Sequence, residues 1–336
     1  MTEAPVTETP LLSVRQLSVA YGTQTGPVTA VDNVEFDVFP GEFVGVVGES
    51  GCGKSTLLFG IARLLTAPAE IISGSVLFGG HNLVTMTQRQ LNVLRWQEYS
   101  VVMQSAMNAL NPVTTIAAQF GDALDAHAKM SKRAKLERSR AVLDLVGIDP
   151  AHLSSYPHQL SGGMRQRAMI AMALLFTPDL VIMDEPTSAL DVVAQRSLMM
   201  QIKELQRQLG FAVVFVTHDM SLVSHFSDRL LVMYAGQVVE DGPTREVFDS
   251  PAHPYSRGLL EAFPSIRGPR VPLVGIPGSP PSMSRLPGGC RFQPRCPVSV
   301  EDCADVEPPL LPAGPTGHSQ ARCLLLDPTR LLEGTQ

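Results

Sequence analysis

Eight residues constrain this chain more than any other feature. Gly48-Glu49-Ser50-Gly51-Cys52-Gly53-Lys54-Ser55 fits the pattern GxxxxGK[ST], set between the apolar run Phe43 to Val47 and a helical pattern from Thr56 to Leu65. A strand, a glycine-rich turn and a helix form the context in which that pattern holds phosphate. The glycines let backbone N–H groups turn inward, and the helix N-terminus adds positive potential. Lys54 then reaches the terminal phosphates, and the Ser55 hydroxyl can ligate Mg²⁺. An ordinary glycine-rich turn is the bland alternative, and the flanking strand and helix argue against it.

Such a loop implies a sheet to carry it. Leu180 to Met183, Ala212 to Thr217 and Arg229 to Met233 are, like Phe43 to Val47, short apolar runs separated by helix-length segments. That is the pattern of strands buried on both faces of a mainly parallel sheet, so the fold class is α/β. Residues 1–10 read as a disordered tail. Leu11 to Val38 reads as short strands broken by Gly22, Gly26 and Pro27, which makes a β-rich N-terminal edge. Between Leu83 and Gln159 helical periodicity takes over, with helices expected at 87–97, 115–128 and 131–146. This predicts an inserted helical subdomain at about residues 86–165 of an α/β domain spanning 11–250. Of 27 prolines, 17 fall in the last 94 residues, a density that a regular sheet or long helix does not tolerate. Residues 251–336 are therefore expected to be a loop-rich, Pro-rich extension.

The 336 residues suffice for about two domains. A net charge of -6 argues against a protein whose affinity comes from neutralising nucleic-acid phosphates. The longest apolar stretches, Ala168 to Phe176 and Phe211 to Val216, are far below the roughly 20 residues of a membrane-spanning helix. Met1 to Pro10 is acidic and lacks an apolar h-region, which points to the cytosol, where five cysteines are poor disulfide candidates.

Further residues extend the phosphate site. Leu180 to Met183 leads into Asp184-Glu185, two adjacent carboxylates at the end of a buried strand. Asp184 suits the Mg²⁺ shell; Glu185, directed oppositely by the two-residue alternation of a strand, suits polarising the attacking water. The strand Ala212 to Thr217 ends in His218-Asp219, and His218 can bond a γ-phosphate oxygen or orient the water. Lys54, Asp184, Glu185 and His218 all fall at carboxyl ends of strands, where open α/β sheets bind ligands. Leu160-Ser161-Gly162-Gly163-Met164-Arg165-Gln166 opens a second glycine-rich helix N-terminus. One phosphate loop already wraps a nucleotide, so Ser161 and Gly163 are expected to complete the site of a second subunit. A plain Ser161 helix cap explains the serine but not the paired glycines.

With these motifs in this order, residues 11–260 resemble the ATP-binding subunit of an ABC transporter. The resemblance implies ATP and Mg²⁺ as ligands and adds Gln104, linking Mg²⁺ to the helical subdomain. It adds Tyr21 as the aromatic that stacks on adenine, and the nucleotide contacts run on to Thr56. It also makes Ser188-Ala189-Leu190-Asp191 the loop that crosses to the opposing site, with Ser188 and Asp191 as its dimer contacts.

Cys290, Cys296, Cys303 and Cys323 are spaced C-x5-C-x6-C-x19-C in chain with little apolar material for a core. Four thiolates around a metal would organise such a segment, and the spacing matches neither zinc ribbons nor bacterial ferredoxins. Cys52, inside the phosphate loop, reads as packing. Ser250 to Ser256 and Gly289 to Pro297 resemble the C-terminal extension of dipeptide/oligopeptide importer ATPases. That resemblance implies a [4Fe-4S] centre, with zinc as the alternative, and pairing with a second, related ATPase beneath two membrane-spanning permease subunits. It further implies an extracytoplasmic solute-binding protein and a peripheral place at the cytoplasmic face of the inner membrane. Met164 matches the branch's "D" partner better than its "F" partner, and the cargo stays open among peptides, nickel, glutathione and oligosaccharides.

Lys129, Lys132, Arg133, Lys135, Arg138 and Arg140 form a basic run opposed only by Glu137, read as a solvated face with headgroup or partner contact as the alternative. A soluble ABC-type ATPase acting on nucleic acid is the rival function; it predicts a coiled-coil insertion or core cysteines, and neither is present. A regulatory module that binds but does not hydrolyse nucleotide would have lost Glu185, the Ser161 motif or His218.

Overall fold

Phe43–Val47, Leu180–Asp184 and Ala212–Val216 are strands in which every residue is buried. Apolar side chains on both faces leave such a segment no solvent side, so helices or further chain must cover each face. The computed structural model describes residues 9–104, 109–188, 190–262 and 275–327; most of the expected N-terminal tail and Ala189 lie outside them.

The chain begins with two long strands, β1 (Leu12–Thr23) and β2 (Gly26–Val38), then β3 (Phe43–Val47), α1 (Lys54–Ile61), β4 (Ala69–Phe78) and β5 (His81–Asn82). A mainly helical stretch follows: α2 (Gln88–Leu94), β6 (Tyr99–Val102), α3 (Ile116–His127), α4 (Lys132–Leu145) and α5 (Gly162–Ala173). Next come β7 (Leu180–Asp184), α6 (Val192–Leu209), β8 (Ala212–Val216), α7 (Met220–Phe226), β9 (Arg229–Tyr234) and β10 (Gln237–Pro243). The chain closes with α8 (Thr244–Asp249), α9 (Pro254–Glu261), β11 (Leu311–Ala313) and β12 (Ser319–Ala321).

Two compact units emerge. One gathers Phe78–Val216 with Val38–Phe43 and the described chain up to Leu12; the other gathers Ser13–Asp37, Val44–Leu77 and the described chain from Thr217 onward. In the first, β6, β7 and β8 pair in parallel, Tyr99 opposite Leu180 and Leu180 opposite Ala212. Phe43 and Phe215 meet edge to face with ring centroids 5.3 Å apart. The helices of this unit start on side-chain caps: Thr87, Thr115, Ser131, Ser161 and Asp191 each accept a backbone N–H of the first turn.

In the second unit, β3 pairs in parallel with β9, and β9 pairs antiparallel with β10. Ala235 and Gly236 both have positive φ, the signature of a tight hairpin turn that follows the natural strand twist. The extension is not free of sheet, as its proline density predicts. β12 adds antiparallel to β10, Glu240 opposite Ala321, and β11 pairs with β12. Each has only three residues, and Pro312 sits on the outer strand β11, where a missing N–H costs no ladder bond. The extension thus belongs to the unit that carries the phosphate loop.

The basic run is largely exposed, at Lys129, Lys132, Arg133 and Arg140, and some of its cations also find partners within the chain. Lys135 pairs with Asp125 at 2.5 Å and Arg133 with Glu137 at 2.8 Å. Arg138 donates to the carbonyls of Leu174 and Leu175, beyond the end of α5, at 2.8 and 2.7 Å. Three of its six cations are therefore engaged within the chain, one of them on a helix C-terminus where positive charge is favoured.

Candidate functional site: a phosphate loop and a strand-end carboxylate pair

The loop after β3 winds tightly. Gly48 and Gly53 have φ of +150° and +104°, and a Cβ on either would collide with a backbone carbonyl, that of Met233 or Ala30. Only glycine fits both requirements at those two positions. Lys54 begins α1 and is buried; its Nζ donates to the carbonyls of Gly48 at 2.8 Å and Glu49 at 3.0 Å and lies 3.8 Å from Cys52 Sγ. The ammonium is thus folded over its own loop. Cys52 is 3% exposed and its thiol is pushed up by burial, which supports its reading as packing.

Ser50 and Gly51 are exposed at the turn of the loop, and Ser55 is half-buried in the first turn of α1. Thr56 meets Tyr21 of β1, the two hydroxyls 3.0 Å apart. That contact places the aromatic ring expected to stack on adenine beside the helix that follows the loop. His218 lies exposed just beyond β8.

The carboxylates belong to the other unit. Asp184 is the last residue of β7 and is 1% exposed. Glu185 is not on the strand: its φ is +45°, a left-handed conformation unusual for a residue with a Cβ. Strand alternation therefore does not set its direction, which corrects the sequence-based argument. Its backbone N–H still bonds Val216 O at 3.0 Å, and its carbonyl accepts from the Ser188 backbone N–H and hydroxyl at 3.3 and 3.2 Å. A left-handed residue at a strand end is the kind of local strain that collects at reactive sites. Gln104, two residues beyond β6, donates Nε2 to Glu185 Oε2 at 2.8 Å. The amide nitrogen is committed to that carboxylate, leaving Oε1 as the end suited to a cation.

Ser161 accepts the Met164 N–H at 3.3 Å as the cap of α5, with Gly162 and Gly163 in the first turn. The cap is the plain alternative weighed for this serine from sequence, which accounts for the serine and not for the paired glycines. Gln166, on the same helix and 4% exposed, donates to Pro186 O at 2.6 Å. It ties the start of α5 to the residue following Glu185, a role not assigned from sequence. Asp191 caps α6 through the Ala194 N–H at 2.9 Å.

Cys290, Cys296, Cys303 and Cys323 line one cavity together with the otherwise apolar Phe292, Val298 and Leu324, and all four are free thiols. Burial pushes Cys290 up to about 11 and raises Cys296 and Cys323 as well; nearby cysteines add to each shift. As bare thiols these three stay protonated at neutral pH. His253, on the cavity wall, is pushed down to about 4 by complete burial and accepts the Tyr255 N–H at 3.0 Å. Among the described residues no three His, Cys, Asp or Glu form a group that could hold a metal ion. The cysteines foreseen as one metal site are thus brought to one cavity without forming a metal centre. The cavity gathers four sulfurs within an otherwise largely apolar wall.

The extension also reaches the loop. The Arg295 guanidinium makes a two-pronged ion pair with Glu49, Nη1 to Oε2 at 2.7 Å and Nη2 to Oε1 at 2.9 Å. Tyr255 Oη accepts the Glu49 backbone N–H at 2.9 Å. Neither contact was foreseen; the visible signal was an arginine beside three of the four cysteines, Arg291, Arg295 and Arg322.

Comparisons with known proteins agree with this geometry. Residues 31–188 match the family described as ABC transporter, and residues 239–303 match the oligopeptide/dipeptide transporter C-terminal region. The chain is 44% identical over 309 residues to the oligopeptide transport ATP-binding protein OppD of Salmonella typhimurium, covering 91% of this chain and 92% of that protein. It is 43% identical over 301 residues to the dipeptide transport ATP-binding protein DppD of Bacillus subtilis, covering 89% and 90%. Among solved structures it is similar to an ATP-binding cassette captured as a post-hydrolysis dimer with ADP and Pi. The TM-score is 0.62 at 28% identity, over 70% of this chain and 99% of that one. The fold, the motifs and this identity over nine-tenths of the chain place it in the ABC transporter ATPase family, in the branch that carries the oligopeptide/dipeptide C-terminal region.

Proposed function

We propose that this chain is the ATP-hydrolysing motor subunit of an importer for oligopeptides or dipeptides. The observation that carries the reading is the phosphate loop, with Lys54 folded over two glycine-dictated turns at the head of α1. The names of the curated relatives supply the cargo class.

In this reading Glu185 orients or deprotonates the water that attacks the γ-phosphate in line, and Gln104 holds the carboxylate through the 2.8 Å bond. Lys54 and His218 take up charge that develops on the phosphoryl oxygens. Ser55, Gln104 and Asp184 are the residues this reading assigns to Mg²⁺, each bringing the oxygen donor that ion prefers; the ion, when bound, would supply positive charge against the nucleotide's terminal phosphates. Tyr21 and Thr56 hold the adenine end. Ser161, Gly162 and Gly163 complete the nucleotide site of a second ATPase subunit, with Ser188 and Asp191 at the dimer contact. The partner is read as a second, related ATPase chain, as the resemblance implies, and the pair works beneath two membrane-spanning permeases fed by an extracytoplasmic binding protein. No helix among the described residues is long and apolar enough to cross a membrane; in this reading the chain sits peripherally at the cytoplasmic face, as its family resemblance implies. Cys290, Cys296, Cys303 and Cys323 would hold a [4Fe-4S] centre, zinc being the alternative; such a centre supplies the cross-link that a proline-rich extension otherwise lacks.

The test is reconstitution with the second ATPase and both permeases in vesicles. Peptide delivered by the binding protein is expected to raise ATP turnover and to accumulate inside. Turnover stimulated instead by DNA or RNA, with no dependence on peptide, would favour the nucleic-acid ATPase.

A further inference from the structure

Glu49, the second residue of the phosphate loop, is held twice by the C-terminal extension. Its backbone N–H is taken by Tyr255, which is fully buried, and its carboxylate by Arg295, whose side chain is 6% exposed. Arg295 is fixed in turn: Nε donates to Pro277 O at 2.8 Å, and its guanidinium lies 5.8 Å from the centre of the Tyr234 ring. Tyr234, Tyr255 and Phe292 pack with centroids 4.6 to 5.4 Å apart, and Phe292 also lines the cysteine cavity. A second arm reaches the same loop. Arg291, next to Cys290, donates to Ala235 O at 2.5 Å and pairs with Asp32; the adjoining Gly236 N–H bonds Cys52 O at 2.9 Å.

This arrangement has an electrostatic consequence. A loop that receives polyphosphate carries a carboxylate at its second position, and an unpaired carboxylate there repels the ligand. The two-pronged pair with Arg295 cancels that charge and fixes the side chain in one orientation. Arg295 immediately precedes Cys296, so anything that moves the cysteine module moves the guanidinium.

We propose that Arg295 is a positioning residue for the phosphate loop, and that the state of the four-cysteine module, read through Arg295 and Glu49, sets the loop's affinity for nucleotide phosphates. The inference rests on the ATP-binding reading of the loop. It gives the extension a task beyond packing: a module that has lost its order withdraws Arg295 and leaves an unneutralised carboxylate in the phosphate loop.

The test is the dissociation constant of MgATP, measured by titration calorimetry on the full chain, together with kcat and KM of the chain paired with the second ATPase subunit. Arg295→Gln is expected to weaken MgATP binding and raise KM by about 10- to 100-fold, the scale of a small misplacement of binding groups, with kcat at saturating ATP little changed. Glu49→Gln added to Arg295→Gln is expected to restore most of the affinity, because the offending charge is gone. Cys296→Ser is expected to weaken binding on its own but to add nothing in the Arg295→Gln or Glu49→Gln background. Unaltered affinity in folded Arg295→Gln protein, or a Cys296→Ser loss that simply adds to the arginine loss, overturns the proposal. Failure of the unsubstituted chain to bind MgATP at all would instead overturn the ATPase reading.

Discussion

Gln104 and Glu185 are joined by a 2.8 Å hydrogen bond between side chains, 81 positions apart in sequence, just beyond the ends of the adjacent strands β6 and β7. The bond holds a carboxylate whose backbone is already locked in a left-handed conformation. A glutamate fixed at both backbone and side chain is suited to aim one oxygen at a water.

Glu185→Gln tests that role. The amide keeps the shape but not the basicity, so MgATP still binds while turnover falls by roughly 10²- to 10⁴-fold, the range for a lost general base. Size-exclusion chromatography with ATP should show a trapped pair of ATPase subunits. Near-normal hydrolysis would remove Glu185 from its assigned role.

Ser161→Asp separates a helix cap from a partner site. Aspartate caps a helix about as well as serine, so the melting temperature is expected to hold. A carboxylate facing the partner's γ-phosphate should abolish ATP-dependent pairing. Pairing that persists would leave Ser161 with only its cap to Met164.

Gly53→Ala forces a Cβ against the Ala30 carbonyl at a φ of +104°. Strain of this kind destabilises by more than about 1 kcal/mol. Thermal unfolding should shift down and MgATP binding should be lost together. A variant with unchanged affinity would show that the loop does not need its present turn.

Metal analysis of anaerobically purified protein addresses the cysteine cavity. Brown protein with iron and sulfide in equal amounts is expected, and replacing any of the four cysteines by serine should bleach it. Stoichiometric zinc would replace the cluster by an ion, and the absence of both metals would remove the centre.

The parts legible in sequence were those governed by local pattern. Phe43–Val47 was foreseen to the residue because an unbroken apolar run between turn residues has one reading, and α3 and α4 fell within one residue of expectation. Expected to reach 97, α2 stops at Leu94 because Trp96 turns left-handed, φ +70°, and its N–H bonds Tyr99 O at 2.7 Å. Periodicity alone carries no sign of such a reversal. The strand β4 was missed, its mixed exposure giving no clear alternation. The phosphate loop, the carboxylates and the Ser161 motif were readable as contiguous motifs. The Glu49–Arg295 pair spans 246 positions and rests on no local pattern, so only the folded chain reveals it.

The central claim is that the chain holds parts of two nucleotide sites and turns over ATP only when paired. ATP turnover per molecule, measured from dilute to concentrated protein and again with the second ATPase subunit added, tests it most directly. Turnover is expected to be near zero for the dilute chain alone and to rise steeply with pairing. Full turnover by a solitary chain, unchanged across concentration and with no pairing detected, would contradict it.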